Sequence, residues 1–194
     1  MLTGIGLATT NCRFNSWKKI NFGGRYFRIA ANMNSDEVWA LSQNKKHRFQ
    51  DGHMLVHLKK HSWQEDDAQT ISASEYWNVL AVSPQGQPAF VSTTDRIYRK
   101  ENGQFKLMQG CSTGVAIGPD GTIFRRDCEY YVHKFVGEDW VQLGDKKVER
   151  IAVDSDGTLW IRDNTYQIFR FDGKTFVQVG AGFNKFALTT GPDN

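Results

Sequence analysis

The sequence predicts an all-β chain: a five-bladed β-propeller of four-stranded antiparallel blades, its ring closed by N- and C-terminal strands that share one blade. Three observations predict it. First, residues 151–179 read as four short runs of β-branched and aromatic residues, separated by Asp-Ser-Asp-Gly, Asp-Asn-Thr-Tyr and Asp-Gly. Asp and Gly are turn residues for physical reasons, Gly tolerating positive φ and Asp bonding its own nearby backbone, so the stretch is a meander of strands a to d. Second, an Ala in strand a recurs as Ala30, Ala81, Ala116, Ala152 and Ala187, at intervals of 51, 35, 36 and 35. Such a fixed period is the signature of a repeat architecture. Third, 185–194 supplies a strand a and its turn, while 1–20 can supply strands b, c and d. Joining them completes a fifth meander and removes open sheet edges.

Taken in order, the expected blades are 26–58, 78–108, 114–143, 150–179, and 185–194 with 1–20, all in a single domain. Strand b carries an aromatic eight or nine residues after the Ala, at Trp39, Phe90, Phe124 and Trp160. These aromatics are expected to pack between neighbouring blades, where their large apolar area contributes most. In the first blade strand c is placed at 47–49 and strand d at 54–58, which leaves 59–77 as an insertion. Loops this long in compact domains are usually functional or disordered. Trp63, Tyr76 and Trp77 are its candidate partner-binding residues.

Composition excludes several classes. Among 194 residues, 24 basic and 21 acidic side chains leave a net charge of +3, too balanced to imply a nucleic-acid partner or an anionic membrane. No apolar run is long enough for a transmembrane helix. The N-terminus lacks a basic n-region, so no signal peptide is expected and a cytoplasmic location is, with non-classical secretion still open. Three cysteines, Cys12, Cys111 and Cys128, show no Cys-x-x-Cys spacing. Neither a disulfide framework nor a zinc module is expected, and a reducing compartment is favoured.

The repeat at 151–179 resembles tectonin-type β-propeller repeats in Ile151-Ala152-Val153, Asp156-Gly157, Trp160, Ile168-Phe169-Arg170 and Phe176. It departs from them where Trp160-Ile161-Arg162-Asp163 replaces the family's Trp-Gly-Val-Asn. The resemblance is sharp over 115–190 and implies a tachylectin-like lectin architecture. The repeats of some bacterial sensor propellers are similar too. Tectonin-like proteins include glycan-binding lectins and also protein or membrane adaptors, so fold alone does not choose a ligand.

The residues carry little chemistry beyond binding. His47, His53, His57 and His61 lack companions at ligand spacing, so no metal is expected. Asp154-Ser155-Asp156-Gly157 opens like a calcium loop, but position 165 is Thr, so it reads as a turn. No nucleophile elbow, phosphate-cradling loop or acid–base pair is found; neither an enzyme nor a cofactor is expected. The b–c and d–a connections are richest in groups that bind hydroxyls and stack on rings. Asp95, Arg96, Arg126, Tyr130, Asp163, Asn164 and Tyr166 are the candidate ligand-binding residues, beside the alternative that they are solvated loop positions. The expected function is a non-catalytic binding propeller with a glycan partner, the alternative being a protein interaction scaffold.

Overall fold

A computed structural model describes residues 26–31, 38–43, 53–59, 62–65 and 77–180. They form four antiparallel sheets, each a meander in chain order. The first holds β1 (Tyr26–Ala31), β2 (Val38–Gln43), β3 (His53–Lys59) and β4 (Ser62–Glu65). The second holds β5 (Trp77–Val82), β6 (Pro88–Ser92), β7 (Arg96–Glu101) and β8 (Gln104–Cys111). The third holds β9 (Gly114–Ile117), β10 (Ile123–Arg126), β11 (Val132–Val136) and β12 (Asp139–Gln142). The fourth holds β13 (Arg150–Val153), β14 (Leu159–Arg162), β15 (Ile168–Phe171) and β16 (Phe176–Gly180). The first strands of successive sheets contact one another, β1 with β5, β5 with β9 and β9 with β13, so the sheets are propeller blades arrayed around an inner set of strands. The described residues thus make four blades where five are predicted; the fifth, 185–194 with 1–20, lies outside them, and so does its closure of the ring.

The Ala–aromatic register predicted from sequence is a cross-strand pairing. Ala30 faces Trp39, Ala116 faces Phe124 and Ala152 faces Trp160 across the first two strands of their blades. The second blade is offset by one, with Leu80 opposite Phe90. Because strand side chains alternate between faces, each blade offers one apolar face to each neighbour. Three buried clusters fill the spaces between blades. Trp39 of the first blade packs with Leu80, Val82, Phe90 and Tyr98 of the second. Ala89, Val91, Ile97 and Met108 of the second meet Val115 and Ile123 of the third. Phe124 and Val132 of the third meet Val153, Leu159, Ile161 and Phe169 of the fourth. The packing role expected for Trp39, Phe90 and Phe124 is therefore observed.

The first blade corrects two strand assignments. Residues 54–58 lie in its third strand, β3, and its fourth strand is Ser62–Glu65. Trp63 pairs with Leu58 just as Trp140 pairs with Phe135 and Phe176 with Phe171. Trp63 is therefore the aromatic that opens a fourth strand and does not sit on an inserted loop. The apolar Met54-Leu55-Val56 run imitates a final strand, which hides the true one. The extra residues of this repeat divide between two connections, 44–52 and 66–76, both outside the described residues together with the strand c placed at 47–49 and with Tyr76. Trp77 opens β5, paired with Ser92.

The turn between first and second strands is the same object in three blades. Ser83, Gly118 and Asp154 each accept an N–H from a residue three positions on, namely Gly86, Gly121 and Gly157, at 2.9–3.0 Å. Those glycines have φ of 74°, 84° and 88°, the left-handed region that a side chain disfavours. Asp154-Ser155-Asp156-Gly157 is thus a turn: Asp156 Oδ1 accepts from Thr158 N at 2.8 Å, as Asp120 Oδ1 accepts from Thr122 N at 2.9 Å.

Candidate functional site

The b–c turns and d–a connections meet at one end of the blades, and one turn design recurs there. Asp127 Oδ1 accepts the N–H groups of Glu129 and Tyr131 at 2.9 and 2.8 Å. Asp163 Oδ1 accepts those of Thr165 and Gln167 at 2.9 and 3.0 Å and the Thr165 hydroxyl at 2.8 Å. Ser92 Oγ performs the same task in the second blade, toward Thr94 N and Arg96 N, both at 3.3 Å. Three residues on, Asp95, Tyr130 and Tyr166 occupy equivalent places, with φ of 59°, 74° and 63°. Positive φ is uncommon away from Gly and for a bulky Tyr marks a held conformation. Here the turn holds it: the N–H groups of Asp95, Tyr130 and Tyr166 donate to Ser92, Asp127 and Asp163 carbonyls at 3.1–3.2 Å.

The following d–a connection is stitched to this turn. Ser112 N donates to Asp95 O at 2.7 Å, and Val148 N to Tyr130 O at 2.9 Å. The next residue, Thr113 or Glu149, donates its N–H to the carbonyl of Arg126 or Arg162 at 2.7 Å. The arginine returns the contact. Arg126 Nε donates to Thr113 Oγ1 at 2.8 Å, and Arg162 Nη2 donates to Glu149 Oε2. Arg126 also reaches across the blade boundary, its Nη1 donating to the Glu149 carbonyl. Two guanidinium groups from adjacent blades therefore converge on Glu149, where Arg150 Nη1 donates to the same carbonyl at 2.9 Å. Each of the two arginines also lies over the tyrosine of its own turn, Arg126 at 5.3 Å from the Tyr130 ring and Arg162 at 5.2 Å from the Tyr166 ring. Burial, and then the charge of Arg150, push the Arg126 pKa down, while Tyr130, Glu149 and Asp95 oppose them. The group stays cationic, since guanidinium does not deprotonate in proteins.

This geometry sorts the candidate residues. Arg126, Tyr130, Asp163, Asn164 and Tyr166 belong to two copies of an Arg-Asp-x-x-Tyr unit, 126–130 and 162–166. Tyr130 is 49% exposed and Asn164 is exposed, but Asp163 is 7% exposed and its carboxylate oxygen is taken up by its own turn. Asp95 and Arg96 belong to the equivalent second-blade turn, which has Val91 where the other two have Arg126 and Arg162; Arg96 is exposed. Sequence reasoning missed Glu149, the point of convergence, because nothing local distinguishes it. It also missed Lys146 and Lys147, which lie over the Phe169 and Tyr131 rings at 4.0 and 5.4 Å. The repeated Arg-Asp-x-x-Tyr spelling was the signal available. Of the histidines, His57 lies 4.8 Å from the Trp39 ring; the side chains of His47, His53 and His61 lie outside what is described.

One expectation is overturned outright. Cys111 and Cys128 form a disulfide, Cα atoms 5.6 Å apart, joining the end of β8 to the third blade's b–c turn. Their separation of 17 residues obeys no motif; the fold alone makes them neighbours. A bridge closing a loop of that length stabilises by about 3 kcal/mol in the chain-entropy view.

No protein-family model and no curated protein matches the sequence. Solved structures do match. One is "YCF48 bound to D1 peptide", at TM-score 0.52 and 14% identity over 84% of this chain and 56% of that one. YCF48 from Cyanidioschyzon merolae matches at TM-score 0.56 and 10% identity, over 90% of this chain and 62% of that one. A catalytically inactive virginiamycin B lyase from Staphylococcus aureus, with quinupristin, matches at TM-score 0.56 and 13% identity, over 87% and 59%. The chain thus spans little more than half the length of these proteins. Similarity at this level establishes the fold, an all-β propeller of antiparallel four-stranded blades.

Proposed function

We propose that the chain is a non-catalytic protein-binding propeller whose partner docks on the end formed by the b–c turns and d–a connections. The observation that carries this reading is the paired guanidinium–tyrosine unit around Glu149. Arg and Tyr are the residues enriched at interface hot spots, where a rigid ring and a planar charged fork bind at small entropic cost. Here the tyrosines are held by turns of positive φ, while Arg126, half-buried, and Arg162, buried, brace those turns from beneath through contacts to Thr113 and Glu149. Lys146, Lys147 and Arg150 add positive charge beside them, which suits an acidic peptide segment. A similar fold in YCF48 is seen with a bound peptide, which supports a peptide partner here.

The test is selection of peptides from a displayed library against the folded chain, followed by affinity measurement. Acidic peptides should emerge, and Tyr130→Ala with Arg150→Ala should weaken them at least tenfold, about 1.4 kcal/mol or more. Peptides without acidic bias, or unchanged affinity in the double variant, would overturn the reading. A glycan array run in parallel tests the lectin implied by the tectonin resemblance; specific sugar binding lost in the same variant would replace a peptide by a glycan.

A further inference from the structure

The disulfide has a third neighbour. The Asp95 carboxylate and the sulfur atoms of Cys111 and Cys128 all lie within 4.8 Å of one another. They come from three segments: the b–c turn of the second blade, the end of its β8, and the b–c turn of the third. We propose that, when the bridge is reduced, Cys111, Cys128 and Asp95 form a three-ligand site for a thiophilic divalent cation such as Zn²⁺, so that the bridge and the metal are alternative occupants of one place.

Backbone contacts, and not the bridge alone, hold the three positions. Asp95 is pinned by its N–H to Ser92 O and by Ser112 N on its own carbonyl, at 3.1 and 2.7 Å. The second of these bonds anchors the residue after Cys111, and Cys111 itself is paired with Arg96. Cys128 sits in the turn closed on Asp127, whose second carboxylate oxygen is 2.7 Å from His133 Nε2. The donors therefore stay converged when the S–S bond opens. Two thiolates and a carboxylate are a soft-to-borderline donor set suited to zinc, with water left as fourth ligand. Cys111 is exposed and Cys128 half-buried, so reductant and ion both have access.

The chemistry balances with a dithiol reductant. One of its thiolates attacks a bridge sulfur, the S–S bond breaks, and the second thiol resolves the mixed disulfide. Two electrons pass to the chain, which becomes a dithiol, and the reductant leaves as its own disulfide. Metal binding then releases two thiol protons to solvent as two metal–sulfur bonds form. The site carries a net charge of −1 with the ion in place, and Arg126, which already feels the Asp95 charge, offsets it.

The test uses the full chain with Cys12→Ser, reduced with a phosphine, desalted, and titrated with Cd²⁺ while thiolate-to-metal charge-transfer absorption is followed. The expected result is a band saturating at one equivalent, absent from the oxidised chain and from Cys111→Ser and Cys128→Ser. Asp95→Asn, which keeps a residue tolerant of positive φ, should weaken binding at least about tenfold. No band in the folded reduced chain, or equal affinity in Asp95→Asn, would overturn the proposal. If reduction unfolds the chain, Cd²⁺ should restore the folded state, and Asp95→Asn should need a higher Cd²⁺ concentration to refold; no metal-dependent refolding would overturn it as well.

Discussion

The Arg125 guanidinium occupies the place where a side chain at Gly110 would stand: a Cβ there would lie 2.1 Å from Nη1. Gly110 and Gln109 form an irregularity in β8, between the pairs Met108–Ile97 and Cys111–Arg96. The irregularity turns the Gln109 carbonyl toward the third blade, where it accepts Arg125 Nη1 and Trp140 Nε1, both at 2.8 Å. Arg125 also lies 4.4 Å from the Trp140 ring. Burial pushes its pKa down and the charge of Asp127 opposes this; the guanidinium stays cationic.

Gly110→Ala should therefore destabilise twice over. Its φ of +88° strains any side chain, and the methyl group displaces a guanidinium that must give up its bond to the Gln109 carbonyl and its place over the Trp140 ring to move aside. The expected loss is about 2–4 kcal/mol, of which about 1–3 is backbone strain that survives in an Arg125→Ala background. Urea unfolding of the double-mutant cycle measures the coupling. Equal losses in both backgrounds would show that Arg125 is not the obstacle.

Asp163 and Asn164 are adjacent candidates with opposite expected behaviour. Asp163→Ala leaves three donors without their acceptor at a buried position and should cost about 1–3 kcal/mol. Asn164 is exposed, and its substitution by Ala should fall within about 0.5 kcal/mol of the parent. Chemical denaturation of the two variants decides between a structural and a ligand-contacting Asp163, since only a structural role lowers stability without ligand.

Acid stability follows from the turns. Asp120 and Asp156 have pKa values lowered from 3.8, first by the hydroxyl and then by the N–H of Thr122 and Thr158 respectively. Asp172 is lowered by the N–H groups of Thr175 and Lys174. The folded values lie below the unfolded ones, so the unfolded chain binds more protons in acid. The stability these carboxylates contribute is complete above about pH 5, once the unfolded groups are ionised too, and is lost as pH falls through the folded values. Replacing all three by Asn keeps an acceptor oxygen in each turn and removes the titration. Melting temperature should then fall less steeply between about pH 4 and 2 than in the parent; parallel slopes would contradict the assignment.

The fold was legible because its unit is short and repeated. Ala116–Phe124 and Ala152–Trp160 are cross-strand pairs, so a spacing in sequence is directly a spacing in the sheet. The first blade was misread where its third strand looks like a final one, and the Trp63–Leu58 pairing shows which aromatic sets the register. The site was half legible. Turn residues such as Asp95, Tyr130 and Tyr166 stand out locally, but their positive φ and their stitching to Ser112 and Val148 do not. Glu149 and the Cys111–Cys128 bridge join blades, and contacts between blades leave no periodic trace in the sequence.

The central claim is that a protein partner binds the end of the blades that carries Arg126, Glu149 and Arg162. Hydrogen exchange of the chain with and without a selected acidic peptide tests it most directly. The expected result is added protection of the amides at 127–131, 143–149 and 163–167. Protection confined to the opposite turns, 83–87, 118–122 and 154–158, or to the outer strands β8, β12 and β16, would contradict it.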